Sequence, residues 1–291
     1  MSSKLSFDTL PNFRDVAVSI NEFTGKTVLQ PGKLYRAARP DDASLTDRKK
    51  LIEVYGVKHI MDLRTESEHV LQAQKRDAWI RSSAAVPQSN DEAAEPLKIP
   101  GIRYHEINFN GNAYAWSLVR QLSWMQFKQF IGLMAMGRRE AAISVLGVNV
   151  MLKRGLVGLA IDSLDVCTKE VKQVFDVLAD EGNYPILVHC TQGKDRTGLV
   201  VLLVLLLLNV PEEAIDRDYM LSEKELLVEK ESRMEEIRRI GLTEEFAGCP
   251  PDCIKRVSEH ITSRYGSVSE YLLLAGVTEE MQQKVARILS G

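Results

Sequence analysis

With 291 residues, 45% of them apolar and 26% charged, the chain has the make-up of a globular protein of one large or two small domains. Its formal net charge of -3 argues against bulk attraction to nucleic acid or to an anionic lipid surface. Four scattered cysteines do not make a disulfide framework, and the start Met1-Ser2-Ser3-Lys4-Leu5-Ser6-Phe7-Asp8 has no apolar signal region. A cytoplasmic, reducing compartment is therefore expected.

In chain order, Leu10 to Asp15 reads as a leading loop. Thr27 to Ala37, with Pro31 and Gly32 between short apolar pieces, predicts a hairpin or two short strands ending at Leu34-Tyr35-Arg36. Thr46 suits a helix N-cap; Leu51, Ile52 and Tyr55 give that helix an apolar face, and Gly56 stops it. Val57 to Leu63 predicts a central strand ending in Asp62-Leu63-Arg64. Charged residues at the carboxyl end of such a strand either meet a ligand or close a salt bridge. Glu66 to Arg81 reads as a helix, and the polar, proline-bearing stretch 82–100 as a mobile loop. Ile102 to Phe109 is extended and carries His105.

Residues 113–165 hold two apolar sets at helical spacing, Leu118-Leu122-Met125 and Phe130-Leu133-Met134. Trp116, Trp124, Met136 and Met151 add adaptable apolar bulk. The segment is either a helical part of the core or a lid whose apolar face meets lipid tails or aromatic substrates. Thr168 to Ala179 is a clean amphipathic helix on Val171, Val174, Phe175 and Leu178. Beyond Pro211, Leu221 to Ile240 alternates charge as one long exposed helix. Three closing helices follow at Ile254–Tyr265, Val268–Ala275 and Thr278–Leu289. Cys249 and Cys253 read as a loop between helices rather than a zinc pair, since no second pair accompanies them.

The chemistry concentrates at 185–198, Pro-Ile-Leu-Val-His-Cys-Thr-Gln-Gly-Lys-Asp-Arg-Thr-Gly. A buried strand, Ile186-Leu187-Val188, leads into a buried helix, Leu199 to Leu208. That run is too short to span a bilayer. A loop opening a helix points several N–H groups at one spot, and the helix dipole favours an anion there. A cysteine in that field serves as a thiolate nucleophile. Arg196 adds a planar fork for two phosphate oxygens, and Gly193 and Gly198 allow close backbone approach.

His189-Cys190-Thr191-Gln192-Gly193-Lys194-Asp195-Arg196-Thr197-Gly198 resembles the signature loop of protein tyrosine phosphatases. More narrowly, the chain resembles the atypical tyrosine/serine and phosphoinositide phosphatases of the mycobacterial phosphatase B and Listeria LipA type. Asn12-Phe13-Arg14-Asp15, Tyr35-Arg36-Ala37-Ala38-Arg39-Pro40, Asp62-Leu63-Arg64-Thr65, Asp218-Tyr219, Tyr265-Gly266-Ser267 and Tyr271-Leu272 carry that likeness in order. It implies an α/β, protein-tyrosine-phosphatase-like three-layer fold: a central, mostly parallel sheet flanked by helices, with a helical insertion at 113–165. One phosphatase domain would span 1–291.

The resemblance and the residues together imply a cysteine-dependent phosphatase acting through a phosphocysteine intermediate. Cys190 attacks, while Arg196 and the amides from Thr191 to Arg196 bind the phosphoryl oxygens. Thr191, Gln192, Gly193, Lys194, Thr197 and Gly198 line the cradle, with Thr197 able to hydrogen-bond the thiolate. The general acid is Asp195, as the resembled group implies, or else Asp162 or Asp165 from an upstream loop. Asp62 is expected to pair with Lys194 near the pocket, with Arg64 beside it. The expected substrates are phosphotyrosine, with phosphoserine/threonine and phosphoinositide or inositol phosphate monoesters beside it. A dedicated phosphoinositide or inositol phosphate phosphatase is the alternative. An inactive phosphate-binding module and a sulfur- or arsenate-handling enzyme are the readings from other classes. No cofactor, metal, nucleic acid or stable membrane insertion is expected, and the sequence sets no oligomeric state.

Overall fold

The computed structural model describes residues 7–83 and 97–290. Among these, five strands form one sheet: β1 (Arg14–Asp15), β2 (Leu34–Ala37), β3 (His59–Asp62), β4 (Arg103–Glu106) and β5 (Ile186–His189). Their order is β1-β2-β5-β3-β4, with β1 antiparallel and the rest parallel. The apolar strand β5 is buried throughout and lies at the centre, as its composition requires. Ala37 and Asp62 flank His189 in register, so three carboxyl ends finish level with Cys190. That edge is where ligands bind in an open parallel sheet.

Helices cover both faces. The segment read as a leading loop also holds strand β1, and it passes directly into α1 (Val16–Thr24). The Asp15 carboxylate caps α1 by accepting from Ala17 N–H at 2.9 Å. Helix α2 (Leu45–Lys49) is capped two residues earlier than Thr46 suggests: Ser44 is the cap and accepts from Asp47 N–H. Helix α3 (Glu66–Ser83) follows β3. Residues 84–96, most of the predicted loop 82–100, lie outside the described residues.

The 113–165 insertion is helical. It comprises α4 (Asn112–Val119), α5 (Trp124–Ala135), α6 (Arg139–Leu146) and α7 (Leu152–Val166). The stretch Arg139–Val166 is the one among the described residues long and apolar enough to cross a membrane. Its buried side chains, Ala142, Val145, Val150, Val157 and Leu164 among them, belong instead to the packed interior. Gly155 kinks α7 with a φ of 62° and ψ of 173°.

Helix α8 (Thr168–Leu178) buries the face its spacing predicts: Val171, Val174, Phe175 and Leu178. Helix α9 (Asp195–Leu207) is buried from Thr197 to Leu205, and forms the spine of the main core. Each such Leu or Val removed from water contributes about 1.5–3 kcal/mol before entropy is charged against it. The long helix expected at Leu221–Ile240 is instead two, α10 (Glu212–Glu225) and α11 (Lys230–Arg239). Leu226 turns into the core between them, and a 3-10 turn at Leu227–Glu229 reorients the chain. Helices α12 (Cys253–Tyr265), α13 (Val268–Leu274) and α14 (Glu279–Ser290) close the fold as expected.

Candidate active site

Between β5 and α9 the chain makes one tight turn, seated against the end of β2. Gly193 has a φ of +64°, and a Cβ there would lie 1.9 Å from the Ala37 carbonyl oxygen. Only glycine fits. Three donors tie the loop's carbonyls outward. Arg39 N–H donates to Thr191 O at 3.1 Å, Asn12 Nδ2 to Gln192 O at 2.9 Å, and Arg36 Nη2 to Gly193 O at 2.8 Å. In a trans peptide the N–H points opposite its carbonyl. The amides of Gln192, Gly193 and Lys194 are therefore turned toward the loop's interior, as an anion cradle requires.

These anchors are themselves braced. Arg36 Nη1 donates to Asp218 Oδ2 at 2.7 Å, and Arg14 Nε to Asp218 Oδ1 at 2.8 Å. Burial and the neighbouring Arg14 bring the Arg36 guanidinium down to about 10, which still leaves it charged at neutral pH. Asn12, Arg14, Arg36 and Asp218 thus form one buried frame around the loop.

Arg196 has a partner the sequence reading missed. Glu68, in the first turn of α3, accepts from Arg196 Nη1 and Nη2, both at 2.6 Å. It also accepts from the Thr191 hydroxyl at 2.5 Å, while Arg196 Nη1 reaches Leu63 O at 3.1 Å. These bonds engage both Nη atoms of the fork and do not use the Nε–H. Burial works against ionising Glu68, but the Arg196 bonds outweigh it and hold the carboxyl well below the usual range. In return, Glu68 and the Cys190 sulfur raise Arg196 despite its burial. The signal was present: Thr65-x-x-Glu68 has the spacing of a capping box, and Glu68 Oε2 accepts from Thr65 N–H at 2.9 Å and from the Thr65 hydroxyl at 2.8 Å.

Lys194 is fully buried, yet it is not paired with Asp62 as expected. Its Nζ donates to Gly248 O at 2.6 Å and lies 3.5 Å from Asp195 Oδ1. Register explains the difference. Asp62 sits level with His189, with Nε2 3.5 Å from Oδ2, whereas Lys194 lies past the turn and faces the 247–248 loop. Asp62 bonds instead to Arg64, from Nη2 at 2.6 Å and Nε at 2.9 Å, and Arg64 also clasps Asp41. Burial opposes ionised Asp62, but His189 and Arg64 bring it down to about 2. Asp62 and Arg64 are spent on a buried brace at the base of the loop. His189 Nδ1–H donates to Cys190 O at 2.9 Å and so orders the loop.

Cys190 is buried at the loop's start. The Thr197 hydroxyl is buried with no hydrogen-bond partner among the described residues. Asp195 opens α9 with its side chain 44% exposed. The competing acids are engaged elsewhere: Asp162 takes Arg154 Nε at 2.8 Å, and Asp165 pairs with His260 and Tyr265, both at 2.7 Å.

A cavity of about 590 Å³ adjoins the loop. Glu68, Asp195 and Arg196 are among its polar lining residues, and Leu156, Leu202 and Phe246 among its apolar ones. Cys190, Asp162 and Asp165 are not among the lining residues. Cys249 and Cys253 lie in and just after the loop that meets Lys194, and burial pushes both thiols up to about 11.

A profile of the tyrosine phosphatase family matches residues 5–290. Similar proteins include the triple specificity protein phosphatase PtpB of Mycobacterium tuberculosis, 25% identical over 96% of both chains. A tyrosine-protein phosphatase of Nostoc commune is 33% identical over 41% of this chain and 44% of its own. An inositol diphosphatase, DSP2, of Arabidopsis thaliana is 42% identical over 13% of this chain and 15% of its own.

Proposed function

The chain belongs to the tyrosine phosphatase family and is a cysteine-dependent phosphatase, and from that premise we propose how its residues divide the reaction. Cys190 Sγ, as thiolate, attacks phosphorus in line with the leaving oxygen. The P–O bond breaks, and Asp195 gives its proton to that oxygen. In the second step water attacks the phosphocysteine, Asp195 takes the proton back, and phosphate leaves with the thiolate restored. The inward amides of Gln192 to Lys194 and the Nε edge of Arg196 bind the oxygens as charge shifts between them. Thr197 donates its unpartnered hydroxyl to the thiolate, and Gly198 leaves room at the helix start.

The carbonyl-anchored cradle carries this reading, because with three carbonyls held outward the amides across those peptides face the loop's interior and are free to meet an anion. Asp195 is assigned as the acid because it lines the cavity beside Arg196, which Asp162 and Asp165 do not. Asp62 and Arg64 act as positioning residues through His189. Residues of the helical segment 113–165 line the cavity, Tyr114, Ile143, Met151 and Leu159 among them.

The substrate class is a phosphoprotein, phosphotyrosine first. Phosphoserine/threonine is the next candidate, on the likeness to a triple specificity phosphatase. Phosphoinositide or inositol phosphate turnover is a second reading. It rests on the short match to an inositol diphosphatase and on the cationic Lys194 behind the cradle. A thiolate nucleophile suits a reducing, cytoplasmic compartment. Parallel rates on a phosphotyrosine peptide, a phosphoserine peptide and a phosphoinositide panel, without added metal, test the ranking. Turnover confined to the inositol compounds would overturn it.

A further inference from the structure

Helix α5 buries none of its residues. Trp124 is 69% exposed and Met125 80%, and Ile131, Met134 and Met136 are exposed beside them. Trp124, Lys128, Ile131 and Ala135, at i, i+4, i+7 and i+11, share one outward face. On α4, Trp116 stands out as well. An apolar surface of this kind marks a place of contact.

Charge selects what covers it. From 107 to 139 the chain has no Asp or Glu, while Arg120, Lys128, Arg138 and Arg139 are all exposed. Lys128 Nζ lies 4.8 Å over the Trp124 ring. Such a lysine can keep its stem along apolar surface and its head among anionic groups, while the indole suits the boundary between headgroups and acyl chains. A second copy of the helix would set these cations against their own kind. We propose that α5, with the turn through Arg139, docks the protein on an anionic lipid bilayer, lying in the plane of the interface without crossing it. The net charge of -3 does not oppose this, because fields beyond about a Debye length of roughly 8 Å are screened. The proposal goes beyond the phosphatase reading and does not depend on which ester the site takes.

Co-sedimentation of the full chain with phosphatidylcholine vesicles, with and without phosphatidylserine, tests it. Binding is expected to the anionic vesicles and to weaken as salt is added. The double substitution Trp124→Ser with Met125→Ser should weaken it by about tenfold or more. Lys128→Glu should weaken it by about fivefold or more. Circular dichroism and aryl-phosphate turnover without vesicles should be unchanged in both variants, which separates lost docking from a lost fold or active site. No binding to anionic vesicles, or equal binding by wild type and double variant, would overturn the proposal. So would a dimer in solution that the double substitution dissociates.

Discussion

At the residue scale, the phosphate clamp proposed for the site is a pair rather than a single guanidinium. Glu68 holds Arg196 by two bonds and reaches Thr191 with the same carboxylate. Its depressed pKa keeps it ionised across the working range, so it acts as a positioning residue and not as an acid. Glu68→Gln is expected to lower kcat by about 10- to 100-fold, the worth of a hydrogen bond to a charged group. Inorganic phosphate affinity should fall with it, and the pH of the acid limb should stay in place. Asp195→Asn should cost about 100-fold or more on an alkyl phosphate, and far less on an aryl phosphate whose leaving group needs no proton. Equal losses on both would remove Asp195 from the acid role. Asp62 makes a stability prediction. Its folded pKa is depressed from 3.8 to about 2, so the stability it contributes is present above 3.8 and lost as pH falls through about 2. The wild type should exceed Asp62→Asn by about 2 kcal/mol in denaturant melts near neutrality, and that margin should shrink between about pH 4 and about pH 2.

At the element scale, the strand–loop–helix unit depends on one close approach. Gly193→Ala sets a Cβ against the Ala37 carbonyl at a positive φ. It should cost at least about 1–3 kcal/mol in a thermal melt and abolish turnover. This unit was readable in the sequence because apolar runs specify β5 and α9 without help from the rest of the chain. Cys190 and Arg196 follow from the loop between them. Helix α1 was not readable: Val16, Val18 and Ile20 are β-branched, and packing with the Asp15 cap overrides that weak preference. The break between α10 and α11 hides in a charged stretch, where the buried Leu226 leads into the 3-10 turn at Leu227–Glu229. Glu68 could have been found from its capping box. The partner of Lys194 could not, since it depends on strand register and on backbone carbonyls at Ala247 and Gly248.

At the scale of the whole molecule, the sheet's carboxyl edge gathers residues from Asn12 to Gly248 around one loop. The average charge of the chain conceals a cation-only stretch at 107–139, which is where surface and site part company. The cavity beside Arg196 is lined in part by residues of 113–165, so the segment hardest to interpret from sequence is one that borders that cavity. The frame of Asn12, Arg14, Arg36 and Asp218 joins distant sequence blocks: Asn12 and Arg36 hold the loop's outer carbonyls, while Arg14 and Asp218 brace them. The reaction proposed for this site turns on a covalent event at the Cys190 sulfur. Mass spectrometry of the protein quenched in acid during aryl-phosphate turnover, without added metal, tests it most directly. A phosphoryl group on Cys190 is predicted, absent from Cys190→Ser, which should also lose turnover. Normal turnover by that variant, or a phosphoryl group on another residue, would contradict the account.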